Sequence, residues 1–157
     1  MAIWYRGEME GGEVSSPGGH AHDFGDGAYF TDDLAVARRY ASTRAYGRPD
    51  LQRVYSVSIE DGELGHILDL RTDDRWLQFV NTPLLPGITN MMFIRQANEN
   101  YGRCFHNFIA TFDIDMVEYN TVIGGEYVRG GNQLCILDNN GMGRQLQQMI
   151  RARFQPA

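Results

Sequence analysis

The sequence predicts a mixed α+β fold, a single domain over residues 1–157 with several short strands and few helices. Three observations carry this reading. Short runs rich in β-branched and aromatic residues recur along the chain, separated by glycine and proline turns. Two segments, 34–41 and 143–153, instead space their apolar residues at helical intervals. No repeat is present, and no apolar run approaches the roughly 20 residues that span a bilayer.

Residues 2–6, Ala-Ile-Trp-Tyr-Arg, read as a first strand ended by Gly7. Residues 7–27 are rich in glycine and include Ser15, Ser16 and Pro17, the composition of a long loop. Gly25 and Gly27 permit a tight turn into a second strand over 28–31. Thr31 or Asp32 then caps a helix with Leu34, Ala37, Tyr40 and Ala41 on one face, stopped by Gly47 and Pro49. Residues 52–59 alternate in the strand manner, and 65–70 form another short strand. Helices are expected at 72–80, around Trp76 and Phe79, and at 90–100. Strands are expected at 105–114, 119–125 and 132–138, and an amphipathic final helix at 143–153.

Charge narrows the function classes. All 14 basic residues are arginine, and against 20 acidic residues the net charge is −6. Such a domain lacks the global attraction for phosphate backbones that nucleic-acid binders show, which leaves only a local arginine patch open to that role. Composition alone does not separate a GC-rich genome from avoidance of lysine-directed modification as the reason for the missing lysines. Cys104 and Cys135 form no CxxC pattern and read as buried reduced thiols, which argues against zinc. The opening Met1–Arg6 has no basic region followed by an apolar core and does not read as a signal peptide.

Two short motifs carry chemistry. In "WYRG" (4–7) an arginine precedes a glycine that lets backbone approach a ligand, and a guanidinium there suits bidentate contact with phosphate or a ribose-bearing group. In "GDGAYFT" (25–31) Tyr29 follows two glycines on a strand, presented for stacking on a planar ring. His20, His22, Asp23 and Asp26 cluster over 20–26, but the surrounding glycines disfavour the strand that would place both histidines on one side, so a loop is preferred to a metal site.

In this order, "WYRG", "GDGAYFTDDLAVARRYA" (25–41) and "NQLCILD" (132–138) resemble the ADP-ribosyltransferase family, in the form found in poly- and mono-ADP-ribosyltransferases and bacterial polymorphic toxins. The resemblance covers the first 45 residues and 119–138. It implies a split β-sheet core with few flanking helices, NAD+ as substrate, and no metal. It implies that Arg6 and Gly7 bind the adenosine ribose or phosphates, and that Tyr29 packs on nicotinamide. Phe30 would lie beneath the sheet, Thr31 beside the cofactor and Tyr40 behind the helix. The loop over 18–26 becomes a lid in which His22 or Asp23 touches the ligand or the acceptor.

The third motif departs from the family. Gln133 stands where the family has a catalytic glutamate, whose carboxylate holds the ribose 2′-hydroxyl and offsets the positive charge that develops as nicotinamide leaves. An amide can hydrogen-bond but supplies no charge, and one such electrostatic contact is worth about 100- to 1000-fold in rate. Glu126, in "GGEYVRGG", is the alternative source of charge.

The resemblance therefore implies an NAD-dependent mono-ADP-ribosyltransferase, the effector domain of a secreted or delivered bacterial toxin acting in the target-cell cytoplasm. Its acceptor would be a macromolecule, protein ahead of structured RNA, and a cognate immunity protein would be its second partner; no membrane partner is expected. Two rivals stand beside it: an NAD glycohydrolase, and a catalytically inactive module that binds ADP-ribose or a partner.

Overall fold

A computed structural model describes residues 2–11, 23–125, 131–139 and 141–157. The first strand, β1 (Ala2–Met9), does not stop at Gly7 but runs through it. After β2 (Gly27–Thr31), α1 (Leu34–Arg44) is capped by Asp33, whose carboxylate accepts the amides of Ala35 and Val36. The expected caps sit just upstream. Thr31 instead accepts the Asp33 amide, so the two side chains together turn the chain out of the strand and into the helix. Next come β3 (Gln52–Ile59), as expected, β4 (Ile67–Asp69) and α2 (Asp74–Val80).

The second half of the chain brings further corrections. The stretch 90–100 is not one helix: α3 (Asn90–Ile94) ends, and a longer α4 (Glu99–Thr111) begins. That helix takes in most of the 105–114 segment expected to be a strand. Its aromatic residues favour strand locally, but Tyr101, Cys104, Phe105 and Phe108 fall at i, i+3, i+4 and i+7, and all four are buried. A small hairpin, β5 (Pro83–Leu85) and β6 (Ile88–Thr89), was not foreseen. The chain closes with β7 (Thr121–Gly124), β8 (Gln133–Leu137), α5 (Met142–Arg151) and a two-residue β9 (Gln155–Pro156).

Seven strands form one sheet in the order β4-β7-β8-β2-β1-β3-β9, antiparallel except for β4 with β7. Both faces are covered, which is why β8 reads as a continuous apolar run. Leu134 and Ile136 join Trp4, Phe30 and Ile150 on one face; Cys135 and Leu137 join Phe24, Trp76, Phe105 and Phe108 on the other. Among the described residues no helix is long and apolar enough to cross a membrane.

The sheet has a seam. β1 pairs with β3 over eight residues and β2 with β8 over five, whereas β1 and β2 meet at one pair, Tyr5 opposite Thr31. No other residue pair of the two strands is in register, and α1 packs across β1. Gly7 makes that approach possible, since a Cβ at this position would run into the Ala37 carbonyl.

Candidate active site

A cavity of about 270 Å³ opens at the seam. β1 contributes Tyr5, Arg6 and Gly7; β2 contributes Tyr29, Phe30 and Thr31; α1 contributes Tyr40, Thr43 and Arg44; Asp23 and Gln133 close the remaining side. The expected Arg6, Gly7, Tyr29, Phe30, Thr31, Tyr40 and Gln133 are thus brought together from three separate stretches of chain. His22 and Glu126 lie outside the described residues.

Arg6 is 2% exposed. Its Nε donates to Glu8 Oε2 at 3.0 Å, and its Nη1 donates to the Tyr29 carbonyl at 3.0 Å, replacing a missing rung between β1 and β2. Burial, and then the neighbouring Arg44, push its pKa down to about 10, so the group is still a cation at neutral pH. Glu8 compensates that buried charge and also takes two bonds from Arg151 on α5. Arg6 is therefore a structural tie as well as a wall of the cavity. Arg44, half-buried in the last turn of α1, makes no ion pair among the described residues.

Tyr29 is held at both ends. Its hydroxyl donates to the Gly25 carbonyl at 2.6 Å and accepts the Phe24 amide at 3.0 Å. Its ring lies parallel to Phe24, with centroids 6.2 Å apart. Burial raises the phenol pKa far above its ordinary range, so the hydroxyl stays protonated. Gly25 takes φ +96°, a conformation that favours glycine, and this lets the 23–26 turn fold back on the ring.

That turn delivers Asp23, 4% exposed, whose Oδ2 accepts from Gln133 Nε2 at 2.7 Å. Gln133 is fixed in turn by its neighbour. Asn132 donates from its amide and its side chain to Asp32, at 2.7 and 2.8 Å, which sets the start of β8 opposite Thr31.

Sequence reasoning missed Tyr5, Thr43 and Arg44 as cavity residues, and Glu8 as the partner of Arg6. A signal existed for Arg44, which lies four residues after Tyr40 on the same face of α1. The arrangement is bipolar: two guanidinium groups stand toward β1 and α1, a carboxylate–amide pair stands toward β8, and tyrosine rings lie between. It suits a ligand with an anionic part and a planar part. Comparison with protein-family models, with curated proteins and with solved structures found no match.

Proposed function

We propose that this chain is an NAD-dependent mono-ADP-ribosyltransferase domain with an ADP-ribosyltransferase-like core, transferring ADP-ribose from NAD to a macromolecular acceptor with release of nicotinamide. One observation carries the reading: residues from three motifs far apart in sequence, Arg6–Gly7, Tyr29–Thr31 and Gln133, line one cavity at the seam of the sheet. The seam itself supports the split-sheet expectation, since β1 and β2 pair at a single position. The cavity lies just below the roughly 300–1,000 Å³ usual for small-molecule sites, a size for one end of a dinucleotide.

In this reading the arginines hold the diphosphate, and the Tyr29 ring stands against nicotinamide. The bond between the ribose anomeric carbon and nicotinamide breaks, its electron pair leaving on the nicotinamide nitrogen. An acceptor lone pair then bonds to that carbon, and the acceptor's proton goes to solvent. The acidic charge balance favours a protein acceptor, and a delivered toxin effector with an immunity partner is the biological setting that fits the resemblance. The test is incubation of the purified protein with labelled NAD and a cell lysate. Nicotinamide release with label on a macromolecule is the expected result. Release with free ADP-ribose alone would mean hydrolysis, and NAD binding without release would mean a binding module.

A further inference from the structure

The departure at the third motif raises a specific question: where does the negative charge come from, if Gln133 cannot supply it? The strand position holds an amide, but a carboxylate lies one hydrogen bond away. Asp23 Oδ2 is 2.7 Å from Gln133 Nε2, both residues line the cavity, and Asp23 is almost wholly removed from solvent. Its backbone is not loosely placed. The next residue, Phe24, donates its amide to Tyr29 Oη and lies parallel to the Tyr29 ring, and Gly25 accepts the Tyr29 hydroxyl. The carboxylate is therefore registered against the ring proposed to hold nicotinamide.

We infer that Asp23 supplies the negative charge facing the ribose, and that Gln133 is the residue that positions it. This rests on the reading of the cavity as an NAD site. The amide at residue 133 then has a physical reason. Two carboxylates at hydrogen-bond distance cannot both ionise, because each raises the other's proton affinity. A glutamate at 133 would make the pair share a proton, so the single negative charge would be spread over both groups and tied up in the hydrogen bond between them instead of standing on Asp23. An amide instead donates to the carboxylate, orients it and leaves it charged. In this reading the charge stands on the turn before β2 and not on the strand.

The inference inverts what the family pattern suggests for one substitution. If charge belonged at residue 133, Gln133→Glu would restore a missing catalytic group and raise activity. With Asp23 in place, Gln133→Glu adds no net negative charge, because the two carboxyls share a proton, and the loss of the orienting amide donor lowers activity. Asp23→Asn keeps the shape and still accepts from Gln133, but removes the charge. The double substitution Asp23→Asn/Gln133→Glu again has one amide and one carboxylate, with positions exchanged.

The experiment measures nicotinamide release, NAD affinity by calorimetry, and thermal unfolding for the whole chain and these three variants. Asp23→Asn is expected to lower release by about 100- to 1000-fold with NAD affinity nearly intact, as for loss of a contact made only in the transition state. Gln133→Glu is expected to lower release and the melting temperature, and the double variant to exceed Gln133→Glu in both. Wild-type release from Asp23→Asn, release from Gln133→Glu above wild type, or a double variant no better than Gln133→Glu each overturns the inference. Should Asp23→Asn fail to fold, the direction of the Gln133→Glu effect still decides. A wild-type protein that neither binds NAD nor releases nicotinamide retires the functional reading itself; active wild type with active Asp23→Asn retires only the role of Asp23.

Discussion

Glu8 and Arg151 are 143 residues apart in sequence and joined by two hydrogen bonds, of 2.8 and 3.1 Å, that fasten α5 to β1 behind the cavity. Because Glu8 is 1% exposed and also holds Arg6, it is one anion between two cations in a place water does not reach.

Removing that anion leaves buried positive charge uncompensated. Glu8→Gln should destabilise by about 3 kcal/mol, the lower end for a buried pair because Arg151 is partly exposed, and lower the melting temperature by roughly 6–12 °C. Glu63→Gln, which breaks the exposed pair with Arg153, is the matched control and should shift stability by no more than about 1 kcal/mol. Equal shifts in the two variants, read by calorimetry, would contradict the assignment of Glu8.

The Tyr29 hydroxyl matters in addition to the ring. From the sequence, stacking would make Tyr29→Phe retain much more activity than Tyr29→Ala. In the structure the hydroxyl closes the turn that carries Asp23, so Tyr29→Phe leaves the Phe24 amide and the Gly25 carbonyl without their partner. A loss of about 1–3 kcal/mol in stability is expected, with slower nicotinamide release at equal folded fraction. Tyr29→Ala should be worse in both respects. Thermal melts and steady-state assays on both variants check this.

Arg44 is expected to act on binding and not on the chemical step. Arg44→Ala should raise the KM for NAD by about tenfold, the effect of one charge-assisted contact, with kcat and melting temperature unchanged. Arg38→Ala, at an exposed position of the same helix, should be silent. A fall in kcat with unchanged KM would move Arg44 out of the anion-binding role.

Acid should weaken the protein through two aspartates. The Arg71 guanidinium holds Asp69 below its ordinary value of 3.8, and the Arg75 guanidinium does the same for Asp73. A carboxylate depressed in the folded state stabilises above its ordinary pKa and loses that contribution as pH falls through the folded value. Stability should therefore decline below about pH 4. Asp73→Asn keeps a competent helix cap but no ion pair, so urea unfolding from pH 6 to 3 should show a flatter acid limb. An unchanged slope would show that Asp73 carries none of it.

Legibility in the sequence followed the range of the forces involved. β3 was readable to the residue because its turns and alternation are local; for α1 the stop before Gly47 and Pro49 was readable, but the cap is Asp33 and not Thr31 or Asp32. α4 was misread: residues 105–112 carry strand-forming aromatics, and the helical spacing of Tyr101, Cys104, Phe105 and Phe108, buried against Trp76 and Phe24, outweighs them. At the site, Arg6, Tyr29 and Gln133 were legible as motif positions. The Glu8–Arg151 and Asp23–Gln133 bonds join residues more than a hundred positions apart, and no spacing rule reaches that far.

The long-range pairing of β2 with β8 also bears on when the cavity comes into existence. Tyr29 lies opposite Cys135, so the ladder that places Gln133 beside Asp23 closes a loop of about a hundred residues, a contact made slowly and against a large entropy of closure. A chain emerging from the ribosome can form the β1–β3 ladder once residue 59 is free, but its cavity lacks a wall until residue 137 has followed. Until residue 137 has left the ribosome, the nascent chain carries Arg6, Tyr29 and Tyr40 without the cavity they line.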